Sequence, residues 1–175
     1  MQGLKIIGLC ILAAIAYGIV HDQITARICV EYFTVFHPPI LGGAKSPTVL
    51  AFGWGVIATW WVGAMLGVPL ALLARAGPWP RLSASDLLPM IRTLLIVMAA
   101  CAIAAGIAGY ARGVMPRYMA QVLPPELHRR FLADWWAHNA SYGSGFVGGM
   151  VLWIMTFLKR LRESKNQERM RNVPN

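Results

Sequence analysis

Residues 87–111 read LLPMIRTLLIVMAACAIAAGIAGYA, a run of 25 positions with one charged side chain, Arg92. As a helix rising about 1.5 Å per residue it is about 37 Å long, enough to cross a hydrocarbon layer of about 30 Å. Residues 4–20, 48–74 and 142–161 have the same character. The pattern predicts an all-α integral membrane protein: one membrane domain over residues 1–175, with four transmembrane helices packed as a bundle. It leaves outer loops at residues 21–47 and 112–141 and a basic tail at 162–175. Composition agrees, with 57% of residues apolar, 13% charged and a mean hydropathy of +0.54, outside the range of ordinary soluble domains.

A basic start at Lys5 before the apolar run from Ile6 to Val20 also resembles a secretory signal. No clean small-x-small cleavage site precedes His21, which favours an uncleaved first helix. Arg75, Gly77, Pro78 and Pro80 end the second span, and Ser85 or Asp86 is expected to cap the third ahead of Pro89. Gly63 and Gly67, Gly145 and Gly149, and the Ala/Gly run from Ala99 to Gly109 form faces on which helix backbones can approach closely. Trp60 and Trp61 lie too deep for an interfacial belt and are expected to fill space between helices.

The formal charge of +9 does not form a nucleic-acid patch, and no nucleic-acid partner is expected. Lys159, Arg160, Arg162, Lys165, Arg169 and Arg171, against Glu163 and Glu168, give a net +4 in the last 17 residues. A basic run directly after an apolar helix reads as an anchor to anionic membrane lipid. Counting Lys and Arg by side gives ten with the tail and six with the two loops. The richer side is cytoplasmic, so both termini are expected inside an inner (cytoplasmic) membrane and both loops outside.

Between the span ends, where Lys5, Lys159 and Arg160 stand, Arg92 is the one Asp, Glu, Lys, Arg or His side chain within these spans. That disfavours ion-coupled transport, proton pumping and a haem held by histidines within the bundle. Cys10, Cys29 and Cys101 have neither disulfide nor zinc-ribbon spacing.

The four histidines, His21, His37, His128 and His138, all fall in the outer loops with Asp22, Glu31, Glu126 and Asp134. Histidine with carboxylate is the ligand set of Fe, Cu or Zn sites. In the first loop, Ile24 to Phe36 is β-branched and aromatic, so an extended segment competes with a helix. In the second, Pro124 and Pro125 open an amphipathic interfacial helix. Its apolar face carries Leu127, Phe131, Asp134, Trp135 and His138, with His128 at the margin. Asp134 and His138 stand at i and i+4, close enough to share an ion or orient each other.

Two readings follow. In the first, His21, Asp22, His37, Asp134 and His138, with Glu31 and His128 as further or outer ligands, bind a transition metal for redox or hydrolytic chemistry or for storage. In the second, the chain is a noncatalytic accessory or scaffold subunit whose packing faces meet a membrane-protein partner or further copies of itself.

Overall fold

The computed structural model describes residues 1–112 and 114–172. It is helical, with no strand among the described residues. The helices are α1 (Gln2–Ile28), α2 (Val30–Val35), α3 (Pro47–Ile57), α4 (Trp60–Arg75), α5 (Ala84–Arg112), α6 (Arg117–Ala120) and α7 (His128–Arg171), with a 3-10 turn at Pro125–Leu127. Four helical stretches are long and apolar enough to cross a membrane: α1, α3 with α4, α5, and the turn with α7. They run alternately up and down. One end of the bundle, the loop end, holds the C-terminus of α1 and the start of α7; the other, the tail end, holds the α4–α5 connection.

Glycine sets how closely the helices approach. A Cβ on Gly63 of α4 would stand 2.7 Å from the Cys10 carbonyl and the Ile11 Cα of α1, and one on Gly55 of α3 would stand 2.6 Å from the Ile19 backbone nitrogen. Only hydrogen fits there, so α1 lies directly on the α3–α4 pair. Gly106 and Gly109 seat α5 on α7, and Gly149 of α7 receives Leu66 of α4. With small residues on the inner stripe, bulky ones face outward. Trp60 and Trp61 are exposed on the flank of α4, contrary to the expectation that they fill space between helices. The buried tryptophan is Trp54, one break earlier in the chain. Ile96, Ile103 and Ile107 of α5, and Val147 and Ile154 of α7, are exposed as well.

Three boundaries differ from the sequence reading. Helix α1 continues past Val20 to Ile28, and α2 follows after Cys29, so residues 24–35 are mostly helical despite their β-branched composition. Packing of Ala26 and Phe33 with Leu50 and Trp54 outweighs local preference. The amphipathic segment of the second loop is not a separate helix but the first turns of α7, which continues for 44 residues, about 66 Å at 1.5 Å per residue. At the start of α5 it is Ser83 that caps: Asp86 Oδ2 accepts from the Ser83 backbone N–H at 2.7 Å, while the Asp86 N–H points back at Ser83 Oγ at 3.4 Å.

At the tail end, Arg160 of α7 is 1% exposed. Its Nε donates to the Pro80 carbonyl at 2.8 Å and Nη2 to the Trp79 carbonyl at 3.0 Å, while Nη1 donates to the Leu73 carbonyl. The guanidinium also stands 5.6 Å from the centre of a Trp79 ring. One side chain thus ties α7 to the end of α4 and to the connection leading to α5. The sequence pattern alone groups it with the basic anchor to anionic lipid, but here it is buried.

Candidate metal centre

Continuation of α1 beyond Val20 places His21 and Asp22 inside the helical array, facing α7 one turn beyond Tyr17. Continuation of α7 through the second loop brings Asp134 and His138 to the same level. Asp22 (5% exposed), Asp134 (0%) and His138 (8%) are all buried. One donor atom each from His21, Asp22 and His138 lies within 4.8 Å of the others, the group best placed to hold an ion among the described residues.

His138 is fixed from both sides. Its Nδ1 donates to the Asp134 carbonyl at 3.0 Å, the ordinary i−4 acceptor on a helix, and also lies 2.7 Å from Asp134 Oδ1. The N–H direction serves the carbonyl, so the carboxylate contact is electrostatic, and neither Asp134 oxygen has a hydrogen-bond partner. With Nδ1 as donor, Nε2 presents its lone pair toward Asp22 Oδ1, 3.3 Å away. A lone pair facing a carboxylate oxygen is repulsive unless something positive lies between them. Either a proton on Nε2 or a metal ion supplies that charge. His21 Nε2 is buried and has no hydrogen-bond partner. Its ring meets His138 edge-on at 4.6 Å between centroids and stacks with Tyr17 at 5.8 Å.

The donor set fits a divalent transition metal. Two imidazole nitrogens and one carboxylate oxygen are the protein ligands of catalytic zinc and non-haem iron sites, which keep further positions open. Bonds of about 2.0–2.2 Å put two donors of one ion at most about 4.4 Å apart, so the three would draw slightly together around an ion. The Asp134 carbonyl, which takes the Nδ1–H, sets the tautomer that leaves Nε2 free to ligate, and the Asp134 carboxylate behind it would raise the basicity of such a ligand.

Aromatic side chains wall the group. Tyr32 stacks on His138 at 4.4 Å, Phe33 approaches it at 5.7 Å, and Ser141 donates to the Tyr17 hydroxyl at 2.9 Å. A cavity of ≈ 130 Å³ starts at His21, Asp22 and His138 and descends between α1, α4 and α7 as far as Leu70 and Trp153. It exceeds the roughly 10–15 Å³ that one water needs, so open coordination positions would face usable space.

The remaining candidates stand apart from the three-donor group. His37 lines the same cavity, its Nδ1 donating to the Tyr32 carbonyl at 2.9 Å and its ring edge-on to Trp54 at 4.5 Å. Burial pushes its pKa below the usual histidine value, which keeps it neutral among these rings. Glu31 accepts from Cys29 Sγ at 3.5 Å, and burial pushes that thiol up to about 12. His128 donates through Nε2 to the Leu123 carbonyl at 3.0 Å, closing the turn that starts α7. Sequence reasoning missed Tyr17, Tyr32, Trp54, Ser141 and Tyr142 as lining residues. Tyr17 carried a usable signal, lying one helical turn before His21.

Compared with protein families, with curated proteins and with solved structures, the chain matches none, so its site rests on its own geometry.

Proposed function

We propose that the chain is an integral membrane protein that binds one divalent transition metal, of the Fe, Cu or Zn kind, through His21, Asp22 and His138. In this reading the four apolar stretches span a cytoplasmic membrane with both termini inside, and the metal lies toward the outer face. The exposed isoleucines and valines of α5 and α7 support insertion, since lipid is the solvent that tolerates such flanks. The excess of Lys and Arg at the tail end supports the orientation.

The observation that carries the metal reading is the convergence of three donors from helices 116 positions apart, one of them a buried nitrogen without a partner. Keeping such a nitrogen dry and unpaired costs about 1–3 kcal/mol, which a bound ion would offset. With three protein ligands and a cavity on the open side, the ion would act as a Lewis acid on water or on a substrate oxygen. Asp134 would hold His138 in the ligating tautomer, while Tyr32 and Phe33 exclude bulk water.

Elemental mass spectrometry on protein purified without a metal-binding tag tests this reading. About one metal ion per chain is expected, lost in His138→Ala and in His21→Ala while the fold is retained. Metal-free, well-folded protein, or a stoichiometry unchanged in both variants, would overturn it.

A second reading draws on the contacts of His138 with both Asp22 and Asp134. Protonated, it would bridge two carboxylates and lock α1 to α7 in a noncatalytic subunit. It predicts that the same variants lose stability with no change in metal content.

A further inference from the structure

A second cavity lies on the other side of His21. It is an open groove of ≈ 750 Å³ between α1, α5 and α7, and its wall includes Tyr17, His21, Ile103, Ile107, Arg27 and Arg130. Small residues form its floor: Ala99, Ala102 and Gly106 from α5, Ala133 and Ala137 from α7. The groove is polarised along its length. Arg27 near the end of α1 and Arg130 near the start of α7 both stand at the loop end, while the part running toward Ala99 and Tyr17 is apolar.

No Asp or Glu lines the groove, and neither arginine is within ion-pairing distance of a carboxylate among the described residues. Arg27 donates only to neutral oxygens, those of Gln23 and of Thr48 Oγ1. Both side chains are exposed. The volume falls within the roughly 300–1,000 Å³ of ordinary ligand sites. An apolar trough ending in two uncompensated guanidinium groups matches a molecule with a long hydrocarbon chain and an anionic head, because arginine forks pair with phosphate oxygens in the bidentate manner.

We propose that this groove seats one anionic phospholipid, its phosphate held by Arg27 and Arg130 and one chain lying on α5 toward Ala99. The occupant is a lipid and not free phosphate, because most of the wall offers hydrocarbon contact and nothing else. Seating does not require the metal. It does place the polar end of the lipid beside His21, whose ring lines both the groove and the metal cavity.

Native mass spectrometry on delipidated protein in detergent tests the proposal, with metal content measured on the same sample so that failure of the metal reading is seen separately. The probes are dioleoylphosphatidylglycerol, dioleoylphosphatidylcholine and inorganic phosphate. One phosphatidylglycerol per chain is expected to be retained, with phosphatidylcholine held more weakly and phosphate alone not held. Arg130→Gln, at an exposed side chain, should weaken retention about fivefold, from the roughly 1 kcal/mol that one basic side chain contributes near a membrane surface. Arg130→Lys should restore part of it, and Ala99→Phe, which fills the trough, should abolish it while thermal stability holds. Equal retention of the two lipids, or retention indifferent to both Arg130→Gln and Ala99→Phe, would overturn the proposal, since a nonspecific lipid belt would behave that way.

Discussion

Helix α7 buries two side chains able to carry positive charge, His138 at the loop end and Arg160 at the tail end, and it treats them differently. Arg160 has a carbonyl acceptor at each of its three nitrogens, from Leu73, Trp79 and Pro80. The loop-end group leaves His21 Nε2 and both Asp134 oxygens without partners. Buried polar atoms are nearly always satisfied in folded proteins, so a completed network reads as architecture and an incomplete one as a place for something else to bind. The contrast matters because composition alone suggests the reverse: the arginine belongs to a charge cluster and the histidine to an aromatic helix.

The largest expected effect falls on the completed side. Arg160→Met keeps the length of the side chain and removes every donor, leaving three carbonyls bare at about 1–3 kcal/mol each. A loss of about 3 kcal/mol or more in detergent unfolding is expected, with metal content per folded chain unchanged. If Arg160→Met were neutral, the tail-end network would not be the architectural one.

Next comes stabilisation of the loop end by its ligand. Adding the metal found in the purified protein at about a hundred times its Kd should stabilise the wild type by about 2.7 kcal/mol. The same addition should leave His21→Ala unmoved, and a shift of equal size in both would break the comparison.

Asp134→Asn probes the outer layer of the site. It leaves the three donors in place and removes the charge behind His138, so metal affinity should fall about 10- to 100-fold in a competition titration with a chelator. Unaltered affinity would mean that the Asp134 carboxylate does not act on the metal ligand.

The smallest effect concerns pH. Burial holds the His37 pKa below its unfolded value of about 6.5, so the unfolded chain binds the extra proton first as pH falls. His37 therefore contributes stability that is present above about pH 6.5 and is lost as pH falls toward the lower folded value. For a half-buried ring the slope stays below the limit of about 1.4 kcal/mol per pH unit. Asp22 and His138 face the same cavity, so the readout is a difference: His37→Phe should lose less stability than wild type between pH 7 and pH 5. Equal losses would assign the pH dependence to the other groups.

Much of this is legible in the sequence. Four apolar runs declare four membrane-length helices because length and hydropathy are local properties of the chain. The pairing of Asp134 with His138 was legible too, since i and i+4 are fixed by the helix itself. That both would face His21 and Asp22 depended on α1 and α7 each running past its apolar span, a continuation that the β-branched composition of residues 24–36 argued against. Glu31 and His128 look like ligands by type, but each stands apart from the three-donor group, with Glu31 Oε2 on the neighbouring Cys29 thiol and His128 Nε2 on the turn that starts α7. Arg160 was hidden most fully, because the carbonyls that bury it come from residues 73–80 folding back beneath α7, and nothing in its own neighbourhood records that.

The three proposed donors also carry a timetable. His21 and Asp22 lie on α1 and His138 on α7, with 116 positions between Asp22 and His138. At about 5–20 residues per second a ribosome needs about 6–23 s to cover that distance. Throughout that interval the first two donors have no third, so the proposed centre could form only once α7 has packed. A retained ion would therefore report that α1 and α7 have both been made and packed together.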